Sequence, residues 1–401
     1  MRLRDTKIAI VGGGLAGSLA AGMLGRAGID AMLIDPHPAY PPDFRCEKLD
    51  GEQVGVLRRT GLADEVLRDT TPDREVWVAR CGRVVERRPN QQVGFLYQDF
   101  VNAVRAAIPP SVGFVCGKAT DIASGGERQR VTLSTGEVVS ARLVVVASGL
   151  NVGLRHKLGM QRKMLSEAHS ISIGFDAEPL GRGSFDFSAL TYYGERPADR
   201  TAYLTLFPIG ASIRANLFVY RAMQDPWLRQ FRETPAQTLC SILPGLREPM
   251  GEFAVSGRVQ IRPVDLYVTA GHRQPGVVLV GDAFASSCPA AGTGALKVLT
   301  DVERLCNVHI PDWLATPGMA TDKIAAFYDD PVKTACDEHS LEKAFWLRSF
   351  STEPGALWQA HRRLKFFGHW GRGMLRQALD GSAVTAAGRP SAAGGVRSRT
   401  A

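Results

Sequence analysis

The sequence has no apolar run near the roughly 20 residues that a bilayer-spanning helix needs, which argues against an ordinary transmembrane anchor. Its seven cysteines, Cys46, Cys81, Cys116, Cys240, Cys288, Cys306 and Cys336, include no CxxC pair. Neither a zinc site nor a disulfide framework is therefore indicated, and free thiols are expected. No Ser-His-Asp motif, HExxH or P-loop occurs, and the eight histidines stand singly, so no metal site is expected. No cluster of Lys and Arg interleaves with aromatics, so nucleic-acid binding is not expected as the main role. Basic residues outnumber acidic ones 48 to 40, for a net charge of +8, but they are spread along the chain. That excess reads first as solvated surface; attraction of a phosphorylated nicotinamide or an anionic substrate is the second reading.

What is present is an ordinary globular composition, 45% apolar and 22% charged over 401 residues, enough for one elaborate domain or two. A strand begins within ten residues of the first Met, which leaves no room for a signal peptide, and a cytoplasmic location is expected. Residues 7–35 read KIAIVGGGLAGSLAAGMLGRAGIDAMLID. A strand (8–11), a glycine turn, an Ala/Leu helix (15–27) and a second strand (31–34) ending in Asp35 form a βαβ dinucleotide fingerprint, with Gly12, Gly14 and Gly17 as GxGxxG. Gly12 makes the tight turn, Gly14 admits a pyrophosphate, and Gly17 lets helix and strand pack closely. Leu15 and Ala16 lie between them at the helix start, and Asp35 is placed for the adenosine ribose hydroxyls.

A second stretch, 281–305, reads GDAFASSCPAAGTGALKVLTDVERL and follows the apolar strand 277–280. Asp282 at the strand's end can accept hydrogen bonds from sugar-like hydroxyls. Gly292 and Gly294 leave backbone N–H groups bare before a helix N-terminus, which suits a flat ligand that becomes anionic.

Together the two stretches resemble the FAD-dependent monooxygenases of the para-hydroxybenzoate hydroxylase type, whose GD-x(6)-P-x-x-G-x-G segment is matched by Gly281, Asp282, Pro289, Gly292 and Gly294. Asp301 matches the acidic residue of the following helix. Phe284 stands where a His is usual, and Leu296 where an Asn is common. The resemblance selects FAD over NAD. It implies that Arg45 reaches the flavin pyrophosphate, with Lys48 a weaker second candidate, and that Gln98 contacts the flavin by position. One departure follows the strand 143–147: Ser148-Gly149 replaces the family's Asp-Gly, while Gly149 and Arg155 are kept. Either Ser148 or Asn151 supplies the lost hydrogen bond, or nicotinamide use differs.

The resemblance further implies an α/β fold: a Rossmann-like FAD-binding domain with an inserted antiparallel β-sheet substrate domain and C-terminal helices. The expected division is 1–75, 96–165 and 266–310 for the FAD-binding parts and 76–95 and 166–265 for the substrate sheet. C-terminal helices follow at 311–380, then a disordered tail at 381–401. Residues 94–97 read as strand-like before a helix. Within 170–220, period-two alternation puts Tyr203, Thr205 and Phe207 on one face, with Ala202, Leu204 and Leu206 on the other. In the next strand Arg214, Asn216, Phe218 and Tyr220 share a face. Tyr192, Tyr203, Arg214 and Asn216 are the substrate-pocket candidates, against the alternative of an ordinary half-exposed sheet. Segment 357–379, rich in Arg, Lys and aromatics, is expected to pack on the cofactor domain with a basic outer face rather than lie on a membrane. Cys288 is read as a packed thiol.

The implied activity is hydroxylation or epoxidation of an aromatic or similarly electron-rich small molecule by molecular oxygen, through a flavin hydroperoxide, with NAD(P)H as reductant. The alternatives are a flavin halogenase, a two-component monooxygenase fed by a partner flavin reductase, a flavin-dependent reductase of an isoprenoid or quinone, and a flavin-loaded protein without its own catalysis. No two tryptophans lie close enough for a halogenase WxWxIP segment.

Overall fold

The computed structural model describes residues 3–387, with side chains of the last helix as far as Arg376. Two sheets organise it. The first has seven strands in the order Gly113–Cys116, Ala31–Asp35, Leu3–Val11, Val138–Val146, Gln129–Leu133, Ala119–Ala123, with Val277–Leu279 also pairing Val138–Val146. Strand Leu3–Val11 is parallel to both Ala31–Asp35 and Val138–Val146, and Val277–Leu279 is parallel to Val138–Val146. The two motif-bearing strands therefore end on the same edge of one sheet, separated by a single strand. This is where an open parallel sheet binds ligands. Both faces of the strands are covered, which is why 8–11 and 143–146 are continuous apolar runs with every residue buried.

The second sheet has eight strands in the order Phe253–Ala270, Gln161–Pro179, Ser212–Val219, Thr201–Ile209, Ala189–Tyr193, Thr71–Arg80, Arg83–Gly94, Lys48–Leu49. Its neighbours are antiparallel except Ala189–Tyr193 with Thr71–Arg80, which run parallel. One face carries Ile171, Ile173, Phe175, Leu204, Leu206 and Leu217 into a core closed by the helices Pro226–Glu233 and Pro235–Ile242. The opposite face looks towards the Pro289–Gly294 loop. The divisions expected at 165/166 and 265/266 fall inside single strands, Gln161–Pro179 and Phe253–Ala270, which run from the substrate sheet back towards the cofactor side.

Local details follow from local chemistry. Helix Gly51–Arg59 starts at a capping box: the Asp50 carboxylate accepts the Gln53 N–H, and the Gln53 side chain accepts the Asp50 N–H. The segment expected to be strand-like at 94–97 is split, because Arg83–Gly94 ends at Gly94 and Tyr97 opens the helix Tyr97–Ala106. The last helix, Ala356–Ala387, extends into the tail expected to be disordered; the rest of that tail lies outside the described residues.

Candidate flavin and substrate site

The two glycine turns touch. Gly281 has φ of +60° and a Cβ built on it would lie 3.6 Å from Ala16 Cβ, at the start of helix Leu15–Arg26. Arg45 joins them to the loop after Asp35, donating to Asp282 at 3.0 Å and to Asp43 at 2.6 Å. Burial disfavours the Arg45 charge, but its neighbours Tyr97, Asp282 and Asp43 together outweigh burial and raise the guanidinium above its ordinary pKa.

The glycines divide into closed and open ones. A Cβ on Gly12, whose φ is +106°, would lie 2.5 Å from the Ala147 carbonyl oxygen, and one on Gly17 would collide with the Gly12 carbonyl. These two hold helix against sheet. Gly14 has no atom closer than 3.8 Å to its virtual Cβ, and exposed Gly292 (φ +69°) has none within 4 Å. Open space lies where the sequence places the dinucleotide. Asp35 is aimed at the first turn: it accepts the Gly13 N–H at 2.6 Å and the His37 N–H at 2.9 Å, and pairs with Arg105 at 3.2 Å. A carboxylate has about four acceptor sites, so capacity for a hydroxyl remains. Arg105, missed by sequence reasoning, also donates to the Gly13 carbonyl at 2.8 Å. Gln98 lies half-buried in the first turn of Tyr97–Ala106 and makes no side-chain hydrogen bond among the described residues.

The second turn is held from behind. Buried Asp301 accepts the Gly281 N–H at 2.8 Å and pairs with buried Lys333 at 2.8 Å. Lys333 also meets Asp337 at 2.9 Å, and Asp337 meets Lys297 at 3.0 Å. Burial opposes the Lys333 ammonium, yet the two carboxylates raise its pKa and keep it charged. Phe284, where a His is usual, packs against Tyr328 and His272 with Lys333 4.2 Å from its ring centre. From the front, Gln53 donates to the Gly292 carbonyl at 2.7 Å, so one amide both caps its helix and fixes the loop. Of Gln53, Lys333 and Arg105, only Gln53 carried a sequence signal, the D-x-x-Q capping pattern.

The Ser148–Arg155 turn binds itself. Ser148 donates to the Asn151 carbonyl, and the Asn151 side chain accepts the Gly153 N–H at 3.0 Å. Arg155 ties the turn to the Gly281 region by donating to the Ala283 carbonyl at 2.8 Å and to Thr269 at 2.9 Å.

The four pocket candidates separate. Tyr203 reaches the loop, its hydroxyl donating to the Ala290 carbonyl at 2.7 Å. Tyr192 is overturned: it lies in the opposite core and donates to Glu195 at 2.6 Å while accepting the Gly82 N–H at 2.8 Å. It pairs with Leu204, not with Tyr203, and so points to the other side of the sheet. Arg214 and Asn216 are on the expected face but are consumed by buried Glu47, each at 2.8 Å. Phe44 and the Arg214 guanidinium close over Gly174. Alternation found the face; it did not reveal that the 36–47 loop covers those two residues. Lys48 likewise bonds Thr205 at 2.9 Å on the sheet rather than facing Asp282, and burial pushes its pKa down to about 8. Ala202 also leaves its expected face, because a register shift between Thr201 and Tyr203 puts it with Phe218 and Cys288.

Opposite the loop, the register sets Arg262, Ser172, Phe218 and Tyr203 side by side across four strands. Ser172 Oγ and Tyr220 Oη are buried without a hydrogen-bond partner among the described residues. Cys288 is a buried free thiol 3.5 Å from Ser170 Oγ, and burial raises its pKa. Arg262 donates to Asp43 at 2.7 Å, at the inner wall of a groove of about 810 Å³ also lined by Pro42, Phe44, Arg232 and Arg258.

The model of the FAD binding domain family matches residues 5–308. The chain belongs to this FAD-binding family. Among curated relatives of the flavoprotein, 3-demethoxyubiquinol 3-hydroxylase of Escherichia coli K12 is 28% identical over 77% of this chain and 81% of its own length. The 6-hydroxynicotinate 3-monooxygenase of Bordetella bronchiseptica is also 28% identical, over 39% of this chain and 44% of its own. Among solved structures, p-nitrophenol 4-monooxygenase from Pseudomonas putida DLL-E4 superposes with a TM-score of 0.74 at 16% identity, covering 95% of this chain and 98% of that one. The flavin-dependent brominase Bmp2 superposes at 0.65 with 17% identity, over 95% and 100%. At those identities the superpositions establish the fold, that of the FAD-binding monooxygenases. The residues present fit FAD: Gly14 and Gly292 leave open space, Asp35 faces the first turn with acceptor capacity to spare, and Arg45 bridges to Asp282 at the second.

Proposed function

We propose that the protein hydroxylates or epoxidises an electron-rich aromatic or related small molecule with molecular oxygen, using FAD and taking reducing equivalents from NAD(P)H. The observation that carries this reading is the pair of buried, unpartnered hydroxyls, Ser172 Oγ and Tyr220 Oη, on the sheet face opposite the Gly292 loop. A buried hydroxyl without a partner costs about 1–3 kcal/mol, a cost that a polar ligand offsets.

In this reading Gly14 and the N-terminus of helix Leu15–Arg26 hold the pyrophosphate, with Arg45 as counter-charge and Asp35 on the adenosine ribose. Asp282 holds the ribityl chain. The N–H groups leading into helix Gly294–Arg304 support negative charge on the ring. A bound flavin would supply the redox chemistry and the activation of oxygen. The chain supplies position and dryness. Burial raises the Tyr220 phenol pKa and keeps it protonated, so it can donate to a substrate oxygen. Phe218 and Tyr203 exclude water around that oxygen. The groove beside Arg262 admits the substrate.

The test is to purify the protein, measure flavin absorbance, and follow NADH and NADPH oxidation with and without phenols, with mass spectrometry of the product. Substrate-stimulated oxidation and a product heavier by one oxygen support the proposal. Flavin that stays oxidised until a separate reductase is added favours a two-component monooxygenase or a halogenase. That second reading has one observation of its own, the self-contained Ser148–Asn151 turn where the family carries a carboxylate. Flavin reduction without oxygen in the product points to a reductase.

A further inference from the structure

The last helix is mounted inside out. Its inward face packs Trp358 and Phe366 on the sheet side and carries basic residues beside them: Arg376 donates to buried Glu86 at 2.9 Å, His369 meets the same carboxylate, and Arg362 donates to the Phe350 carbonyl at 2.7 Å. Gly373 presses on the strand Arg83–Gly94, where a Cβ would lie 2.7 Å from the Val85 carbonyl. This corrects the expectation of a helix on the cofactor domain with a basic outer face. The helix lies on the substrate sheet, and its outer face is apolar. Leu357, Leu364 and Phe367 are 67, 69 and 67% exposed, and Trp370, Met374 and Leu375 all exceed half. Six of the sixteen exposed large apolar side chains among the described residues thus sit on one helix. An outward stripe of this kind marks an interaction surface.

We propose that this stripe docks the protein on an anionic lipid surface, with the helix lying in the membrane plane. Residues 356–376 include five Arg and Lys and no Asp or Glu. On a helix of 3.6 residues per turn, exposed Arg363 and Arg372 fall on opposite edges of the stripe, so both flanks are positive. Two copies packed stripe to stripe would bring like charges together, whereas anionic headgroups complement both flanks while the apolar residues enter the acyl boundary. Trp370 sits in the stripe, suited to the headgroup level. No helix among the described residues is long and apolar enough to cross a membrane, so the attachment is peripheral. Docking through this helix is independent of the reaction proposed above.

The experiment is flotation of the flavin-loaded full chain with vesicles of phosphatidylcholine alone and of phosphatidylcholine with roughly one-third phosphatidylglycerol. The expected result is flotation with the anionic vesicles only, weakened severalfold by high salt and by Arg363→Gln. The double variant Leu364→Glu/Phe367→Glu should bind at least about tenfold less. Both side chains are largely solvent-exposed, so bound-flavin absorbance and melting temperature should stay unchanged in that variant. Absence of flotation, equal flotation with neutral vesicles, or flotation of the double variant like the parent would overturn the proposal. So would a dimer, seen by light scattering, that Phe367→Glu converts to monomer without any vesicle binding.

Discussion

The Pro289–Gly294 loop of the cofactor side faces the sheet of the substrate side, yet the two sides are built by different means. On the cofactor side the open positions are backbone, at Gly14 and Gly292, and side chains act from behind to fix the turns. On the substrate side the groups facing the loop are side chains of a sheet, and which of them are free depends on what the 36–47 loop covers. Arg214 and Asp282 illustrate the difference. Both are polar residues paired with an opposite charge, but Arg214 is enclosed by Glu47, Asp176 and Gln260, whereas Asp282 and its partner Arg45 remain partly exposed. The first pair fixes a sheet to a loop; the second stays accessible to solvent.

The sharpest test of the cofactor side is the support behind its second turn. Lys333→Met leaves Asp301 buried beside Gly281 without its counter-charge and should cost about 3–5 kcal/mol in denaturant unfolding, with loss of bound flavin following from a displaced turn. The glycines can then be set against each other. Gly17→Ala forces its Cβ into the Gly12 carbonyl and should cost about 1–3 kcal/mol or more. Gly14→Ala meets only Tyr40, at an ordinary contact distance of 3.8 Å, and should leave the melting temperature of the apoprotein unchanged while weakening flavin binding. Equal destabilisation by both would erase the distinction between closed and open glycines.

Arg45→Ala should weaken FAD affinity about 10- to 100-fold, the loss of a charged hydrogen bond worth about 1.5–3 kcal/mol, as read by flavin titration. Electrostatics at the helix Pro331–Thr352 gives a pH signature. Asp330 caps that helix and pairs with Arg304 and His309; burial opposes its charge, but these contacts hold its pKa down to about 2. A depressed carboxylate contributes stability above its unfolded value near 3.8, and loses it as pH falls through about 2. Asp330→Asn should therefore lower the melting temperature at neutral pH, with the gap to the parent closing between about pH 4 and 2. The smallest effect on stability belongs to the substrate side. Ser172→Ala removes an unpartnered buried hydroxyl, so stability should hold or rise by up to about 1 kcal/mol while KM for the substrate increases. A marked loss of stability would mean that the hydroxyl has a structural partner and would remove it from the pocket.

Much of the cofactor side was legible because its signals are local. Gly12, Gly17 and Gly281 are required by backbone conformations and close approaches within a few residues, and the strand ends that carry Asp35 and Asp282 follow from apolar runs that must be buried on both faces. The substrate side was legible only to the level of the face. Period-two alternation put Tyr203 with Thr205 and Phe207 on one strand and Arg214 with Asn216 on the next, but Tyr192 depends on pairing register, and the burial of Arg214 and Asn216 depends on a loop about 170 residues earlier. Ser172 carried no signal, since a serine between isoleucines has the same pattern whether its hydroxyl is partnered or orphaned.

The sequence by itself determined the dinucleotide turn, the parallel sheet beneath it, the GD turn that answers it and the membership of an FAD-binding family, because each rests on short-range geometry or on the burial of continuous apolar strands. Tertiary structure alone decided which polar residues of the sheet are spent on Glu47, which charges stand behind Gly281, and which side of the last helix faces outward. Those outcomes are set by contacts between segments far apart in the chain, and an amphipathic pattern cannot say which of its two faces finds a partner.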